Sequence, residues 1–500
     1  MTRTPAASPP PAPTADLPSE HGTRLGPRLT VVLLAMLWPA QMLTVAGVFT
    51  STSQGAIAQH FQTTQIAWSA TIYALVVALA TPFVAKAGDL FGRKRVMIAI
   101  LAAGLIGDLI SVLAPNFELM LVGRAIAGLY GPMAALVYAS ARDVFPPKYV
   151  GPATGLIGSS AGIILILCPL AAGWLLDHTG FHGVLWALGG GIALGLLLVL
   201  FFVPDIPPTE ERVHFDWAGG LLLGGSATAL VYALAQGGGT WGWTDARFLG
   251  LVAAATVLAV LFVVVERRVT EPLLDVRMLA RPGVSTVLAG SAIAQGTFYS
   301  AGTMVVFVAL YPSIPGVSAG LGWTGTHNAI VGTPAGLLVI LVGLAAGVLT
   351  RKIDPRLPWR AGLVVTTVGL IAQGFFHHNE LQIILAGCLT NIGAGLVLSC
   401  AGILLLGVVS HREQGVASGM AVMLTNLMNA LTTQLMFTAL NSDRNILNGT
   451  AFYSDNALSK AYFTLAACMG LALLMSFFIP KVLRPNQIET GTTEQLVSTR

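Results

Sequence analysis

Charge is what this chain has least of. Its 500 residues include 26 Lys plus Arg and 22 Asp plus Glu, 10% in all, against 55% hydrophobic. An ordinary soluble domain carries roughly a quarter charged residues, so water cannot be the solvent for a surface this apolar. The mean hydropathy of +0.77 agrees, and the apolar residues run in long blocks, which makes lipid the solvent. Cysteine is scarce too. The four, Cys168, Cys388, Cys400 and Cys468, lie inside apolar blocks, where thiols act as small hydrophobes; this excludes a disulfide framework and a cysteine zinc site. No Gly-x-x-x-x-Gly-Lys-[Ser/Thr] loop is found, so ATP hydrolysis of that type is excluded, no enzyme is expected and no cofactor is implied. The net charge of +4 comes from short basic clusters between apolar blocks, a pattern that points to membrane orientation and not to nucleic acid.

A hydrocarbon core takes about 20 apolar residues per helix. Breaks at charged or Gly/Pro-rich points divide the chain into fourteen expected spans: 29–50, 66–85, 96–114, 118–141, 151–176, 184–203, 217–235, 247–265, 284–311, 326–349, 361–376, 381–409, 414–440 and 460–480. With the N-terminus in the cytoplasm, 22 of the 26 basic residues fall in cytoplasmic segments, as positive charge should. Arg247, Arg444 and Lys460 fall outside, and Arg124 lies within a span. Both termini are therefore expected in the cytoplasm of a multi-pass plasma (cell inner) membrane protein. Residues 1–28, with five prolines between Pro5 and Pro13, read as a disordered tail, and 481–500 as a second cytoplasmic tail. The first apolar run starts only at Leu29 and continues to spanning length, so it is expected to be retained and not to be a cleaved signal.

Gly151-Pro152-Ala153-Thr154-Gly155 and Gly415-Val416-Ala417-Ser418-Gly419 share the pattern G-x-A-[ST]-G at an offset of 264 residues, and nearly the same offset carries Lys86–Arg95 onto Arg351–Arg360. Two points on one diagonal suggest parallel six-helix halves, 29–203 and 284–480. The spans of 217–265 would then be inserted between them.

After the second span the chain reads Ala85-Lys86-Ala87-Gly88-Asp89-Leu90-Phe91-Gly92-Arg93-Lys94-Arg95. This resembles the loop signature of the major facilitator superfamily. Weaker matches follow in order: Trp68 to Tyr73, Arg124 with Gly128, Pro169 to Gly173, and Glu271-Pro272-Leu273-Leu274-Asp275. The last, with two extra central spans and Gly238 to Trp243 between them, is similar to the fourteen-span drug:proton antiporter branch. The resemblance covers about residues 29–480 and implies an all-α polytopic fold of two six-helix bundles plus two central helices.

The loop also has a reading that needs no family. Gly88 and Gly92 would let the backbone turn tightly, and Asp89 is an acceptor suited to a helix N-terminus of the other half. The resemblance implies that Asp89 docks on the thirteenth span and that Arg93 pairs with an acid at the end of the fourth, a place held by Asp143. Together these form an expected conformational latch; the alternative is that they only set topology. Arg124 lies deep in a span, where an arginine costs at least about 3 kcal/mol on insertion scales and so needs a partner or a wet cavity. The resemblance links it to proton or substrate handling. Asp108 lies as far from the turn near residue 116 as Arg124 does, so antiparallel neighbours would hold the two at similar depth. Such a pair is either a protonation switch or a static structural pair.

Two departures weaken the branch assignment. The fifth span reads Cys168-Pro169-Leu170-Ala171-Ala172-Gly173 where the antiporters carry Gly-Pro-x-x-Gly-Gly, so Pro169 and Gly173 are expected first as helix-packing residues. The first span has no acid from Leu29 to Thr50, where the branch carries an aspartate; Gln41 is its one strongly polar side chain at depth. Gln41, Gln295, Tyr299, Asn391, Asn426 and Asn429 are candidates for substrate contact or for helix–helix hydrogen bonds, since polar groups facing lipid are costly. Trp241 and Trp243 read as interfacial anchors. His377-His378 looks metal-like, but adjacent residues diverge on a helix and the pair falls at a span's external end, so an interfacial loop is the better reading and no metal is expected. The chain is thus expected to be a monomeric secondary transporter that exports small amphipathic drugs or metabolites in exchange for protons. Uptake or exchange of a specific neutral or anionic metabolite, and a non-transporting membrane sensor or scaffold, are the competing readings.

Overall fold

The computed structural model describes residues 26–205, 208, 216–269, 274–410, 413–447 and 449–479. Residues 1–25 of the N-terminal tail, the C-terminal tail, Arg212, Arg412 and the Glu271 to Leu273 part of the Glu-Pro-Leu-Leu-Asp motif lie outside the described residues, whereas Pro27 and Arg28, expected in the tail, already begin the first helix. Helices follow one another as α1 (Pro27–Ala40), α2 (Met42–His60), α3 (Ala67–Phe91), α4 (Arg93–Leu113), α5 (Phe117–Ala127), α6 (Met133–Val144), α7 (Pro147–Phe202), α8 (Trp217–Gln236), α9 (Ala246–Glu266), α10 (Val276–Leu279), α11 (Pro282–Leu310), α12 (Gly325–Leu349), α13 (Arg356–Phe375), α14 (Glu380–Val408), α15 (Gln414–Asn441) and α16 (Asp455–Ser476).

Among the described residues, eleven helical stretches are long and apolar enough to cross a membrane, counting α1 with α2 and α5 with α6 as one each. The 56 residues of α7 form one of them, although the chain reverses at Gly180, whose φ of +69° suits glycine. Helices α13 (20 residues) and α15 (28 residues) are of spanning length but less apolar. Two expected spans are interrupted. Pro39 ends α1 just before Gln41, because proline cannot donate to the helix ladder, and a short 3₁₀ turn over Gly128–Tyr130 followed by Pro132 separates α5 from α6.

An all-α reading needs one correction. Residues Ser313–Ile314 and Ser318–Ala319 form an antiparallel ribbon (β1, β2), and Arg444–Leu447 with Thr450–Tyr453 a second (β3, β4). Both occupy loops between helices, where tight turns at Gly316 and Gly449, with φ of +74° and +77°, let short extended segments pair.

One apolar core gathers α1 to α7 around Met36, Met42, Tyr73, Met97, Leu101, Tyr130 and Leu188. A larger one runs through α11 to α16 around Met304, Phe307, Trp359, Leu363, Cys400, Phe437, Tyr462 and Leu465, and it also takes in Ile57, Met120, Phe181 and Leu185 of the earlier helices. The two inserted helices lean on each other, with Ser226 Oγ donating to Ala255 O at 2.9 Å. They reach the second half where Thr438 Oγ1 donates to Leu234 O at 3.1 Å.

We call the side carrying the Lys86–Arg95 and Arg351–Arg360 segments the basic face. The described contacts between halves gather on the opposite face. There Asp177 of α7 accepts hydrogen bonds from Gly325 N (2.6 Å) and Thr326 N (2.8 Å) at the start of α12, and Gly55 stands against the ring of Tyr311. Ala74 and Leu75 of α3 pack with Ala430 of α15. Toward the basic face Gly151, Gly155, Gly415 and Gly419 border open space.

Candidate functional site

Packing of α4 on α5 decides where the deep charges sit. A Cβ on Gly107 would fall 2.5 Å from Ala127 N, and one on Gly123 2.6 Å from Gly107 O. Only glycine permits backbones this close, and the approach brings Asp108 to Arg124: Nη1 and Oδ1 are 3.6 Å apart, with side chains 1% and 2% exposed. Arg124 Nη2 donates to Thr50 Oγ1 at 2.6 Å, and its guanidinium lies 4.7 Å from the centroid of the Tyr73 ring, a favourable cation–π placement. Tyr73 in turn pairs with the Tyr130 ring, centroids 5.9 Å apart.

The arrangement is deeply buried and sparsely hydrogen-bonded. Neither Asp108 oxygen meets a donor at full hydrogen-bonding geometry among the described residues, and neither Arg124 Nε nor Nη1 meets an acceptor. A buried ion pair repays its desolvation only with good geometry and further hydrogen bonds on both partners. Among the described residues this pair has few of them: the Arg124 to Thr50 bond is the one at full geometry. Sequence reasoning reached Asp108 and Arg124 but missed Thr50, Tyr73 and Tyr130, whose types are ordinary in membrane helices.

At the basic face, Arg93 is bonded to Asp143, donates from Nη1 to Ala139 O at 2.8 Å and reaches Asp89 at 3.1 Å. The structure therefore brings Asp89, Arg93 and Asp143 together inside one half. Among the described contacts Asp89 is joined to Arg93, not to the start of α15 as expected. Gly92, with φ of +90°, makes the turn into α4. Gly88 does not: it lies inside α3, where a Cβ would come 2.7 Å from Leu136 Cδ2, so its small size serves the packing of α3 on α6. An equivalent cross-link in the second half joins Arg281 to Glu413 by two hydrogen bonds of 3.0 and 2.9 Å. These bonds, with those from Ser410, hold the Glu413 carboxyl down at about 2.

The remaining candidates separate. Gln41 is buried and its amide donates to Ile157 O and Ser160 Oγ, both at 3.0 Å; it is engaged in tying the broken first span to α7. Asn391 and Asn426 each donate to a carbonyl of their own helix, Gly387 O at 2.8 Å and Val422 O at 2.9 Å, which leaves their side-chain oxygens available. Gln295 is half-buried; Tyr299 is exposed. Asn429 joins a hydroxyl cluster in which Ser300 Oγ lies 2.7 Å from Thr432 Oγ1 and 2.9 Å from Thr433 Oγ1. Pro169 lies within α7, and Gly173 abuts Gly325 across the halves, where a Cβ would sit 2.3 Å from Gly325 O.

Long apolar helices, two of the expected spans interrupted, define a multi-span helical fold of the membrane-protein class. The family model described as Major Facilitator Superfamily matches residues 31–225. Relatives include Multidrug resistance protein 3 of Bacillus subtilis (strain 168), 24% identical over 68% of this chain and 65% of its own length, just under two thirds. The Uridine/deoxyuridine transporter of Lactococcus lactis subsp. cremoris (strain MG1363) is 28% identical over 74% of this chain and 79% of its own. Multidrug transporter protein MdtP of Bacillus subtilis (strain 168) is 23% identical over 94% and 86%. Among solved structures, the POT family transporter PepTSo shares the fold at a TM-score of 0.64 and 13% identity, covering 91% of this chain and 98% of that one. The family match thus covers the first part of the chain, the relatives are named as transporters, and the solved structures share the fold.

Proposed function

We propose that this chain is a proton-coupled exporter of small amphipathic compounds that works by alternating access, with Asp108 and Arg124 as the coupling pair. The observation that carries the reading is their buried contact at 3.6 Å, short of hydrogen bonds on both sides. An acid in that position changes its attraction for Arg124 when it gains a proton, and Arg124 is also tied to Thr50 of the first span. Proton binding would thereby alter a contact between helices of the first bundle. Two relatives named as multidrug proteins support the substrate class.

On this reading the chain has fourteen spans: the eleven apolar stretches, with α7 counted twice across Gly180, plus α13 and α15. The basic face is cytoplasmic, both termini lie on that side, the membrane is the plasma membrane and the working unit is a monomer. The open direction is then cytoplasmic. Asp177 on α12 closes the external side, and Arg93 with Asp89 and Asp143 forms the half of the cytoplasmic latch that waits for α15. The experiment is flux in proteoliposomes with and without an imposed pH gradient, together with drug susceptibility in an efflux-deficient host treated with a protonophore. Flux indifferent to the gradient overturns proton coupling. Asp89→Asn is expected to slow transport without loss of insertion, and normal transport by that variant overturns the latch.

A second reading, uptake of a specific neutral metabolite, has its own support. The first span has no acid to favour cations, Asn391 and Asn426 offer neutral amides, and one relative is named as a uridine/deoxyuridine transporter. Saturable uptake of one neutral compound with no susceptibility phenotype would favour it.

A further inference from the structure

A group unconnected with the charge pair lies on the face opposite the basic one. His377 and His378 follow the end of α13 in the turn before α14, and Asp455 opens α16. The turn is not helical, so the two imidazoles do not diverge: their rings stack at 4.6 Å and 19°, and both Nε2 atoms converge on one oxygen, Asp455 Oδ1, at 3.0 Å from His377 and 2.9 Å from His378. One ligand atom from each residue lies within 4.8 Å of the other two.

The hydrogen bonding fixes what this group needs. His377 Nδ1 lies 2.9 Å from Gln373 O, and a carbonyl only accepts, so Nδ1 carries the hydrogen and Nε2 of the neutral ring bears a lone pair. That Nε2 is buried without a hydrogen-bond partner and points at a carboxylate oxygen, another lone pair. A cation between them removes the conflict. One proton serves one histidine; a metal ion serves all three residues at once. Ligands on a tetrahedral ion with bonds near 2.0–2.1 Å stand roughly 3.3 Å apart, a few tenths of an ångström beyond the distances seen. His378 and Asp455 are exposed while His377 is 1% exposed, so the group has one anchored ligand and an open mouth through which an ion can enter and a solvent ligand complete the shell.

We propose that His377, His378 and Asp455 form a site for one divalent transition-metal ion of the Zn²⁺ class, tying the α13–α14 turn to α16. Two imidazoles and a carboxylate suit Zn²⁺ and its borderline neighbours and do not suit Mg²⁺ or Ca²⁺, which take oxygen shells. The test uses the full chain in detergent, purified through a tag without histidine and titrated with Zn²⁺ alone, Mg²⁺ alone and Co²⁺ alone. Expected are one saturable Zn²⁺ per chain, none for Mg²⁺, and with Co²⁺ the intense visible absorption of a tetrahedral site. His378→Ala and Asp455→Asn, both at exposed side chains, are expected to weaken Zn²⁺ binding at least tenfold, with unchanged melting in the absence of metal. If either variant melts differently, His378→Gln replaces it. No saturable uptake, affinity unchanged in the variants, or a Co²⁺ spectrum like that of the aqueous ion overturns the proposal and leaves a protonated histidine–aspartate contact.

Discussion

Asp108→Asn is the most direct perturbation of the charge pair. It keeps the shape of the side chain and removes the charge, leaving Arg124 buried with Thr50 Oγ1 and the Tyr73 ring as its described partners. Removing one member of a buried ion pair costs about 3–5 kcal/mol, a large part of the roughly 5–15 kcal/mol that holds a typical fold. The loss comes from the uncompensated charge, so removing that charge as well should restore part of it. The double variant Asp108→Asn with Arg124→Gln is therefore expected to be more stable than the sum of the single losses, with a coupling of about 0.5–3 kcal/mol for residues in contact. Thermal melting of the four proteins in detergent measures this. Transport separates the roles: a coupling acid is needed for gradient-driven flux but not for exchange of substrate across a membrane without a gradient. Asp108→Asn should lose the first and keep most of the second. Additive destabilisation refutes the direct pairing, and gradient-driven flux at the wild-type rate refutes the coupling role.

Asp177→Asn leaves one acceptor for the two amide hydrogens of Gly325 and Thr326 and removes the charge; bonds to charged groups contribute about 1.5–3 kcal/mol, so the closed external side should lose population roughly tenfold. In a background lacking the native cysteines, alkylation of a cysteine placed at Gly155 should slow, and an unchanged rate counts against the gate. Gly173→Ala puts a methyl 2.3 Å from Gly325 O, so it is expected to hold the same side apart; faster alkylation of a cysteine at Gly55 reports it, and wild-type labelling refutes it. Glu413 has its carboxyl lowered to about 2 from 4.5, so the Arg281 cross-link stabilises fully above pH about 4.5 and is lost as pH falls toward 2. The melting difference between wild type and Glu413→Gln should be constant from pH 7 to 5 and shrink below; a difference as large at pH 3 as at pH 7 is the refuting result.

Much of this was legible in the sequence, for reasons that differ from residue to residue. Span length, apolar blocks and the Gly92 turn follow from local chemistry, the family resemblance set Arg93 beside Asp143, and equal distance from the turn near residue 116 sufficed to set Asp108 opposite Arg124. What escaped was whatever depends on the approach of distant segments. Gly88 looks like a turn residue in its loop motif, but its neighbour Leu136 is 48 positions away. Gln41 looks like a cavity residue because its partner is a backbone carbonyl of α7, and carbonyls have no sequence signature. Asp177 reads as a loop acid until α12 is seen to begin against it.

The missing acid of the first span takes a different meaning from the same geometry. A carboxylate there would reach the centre from α1 or α2, whereas here the first span contributes Thr50, a neutral donor and acceptor that binds the arginine side of the pair. The negative charge comes instead from α4, and it is buried against α5 by glycines that admit no side chain between them. The Tyr73 ring lies against Arg124 and the Tyr130 ring against Tyr73, which makes the two hydroxyls the nearest candidates for relaying a proton to Asp108. If the pair couples, Tyr130→Phe should slow proton-driven flux while leaving fold and exchange intact, because it deletes a hydroxyl and keeps the ring packed against Gly104. Unaltered proton-driven flux in that variant would require the proton to arrive by another side of the bundle.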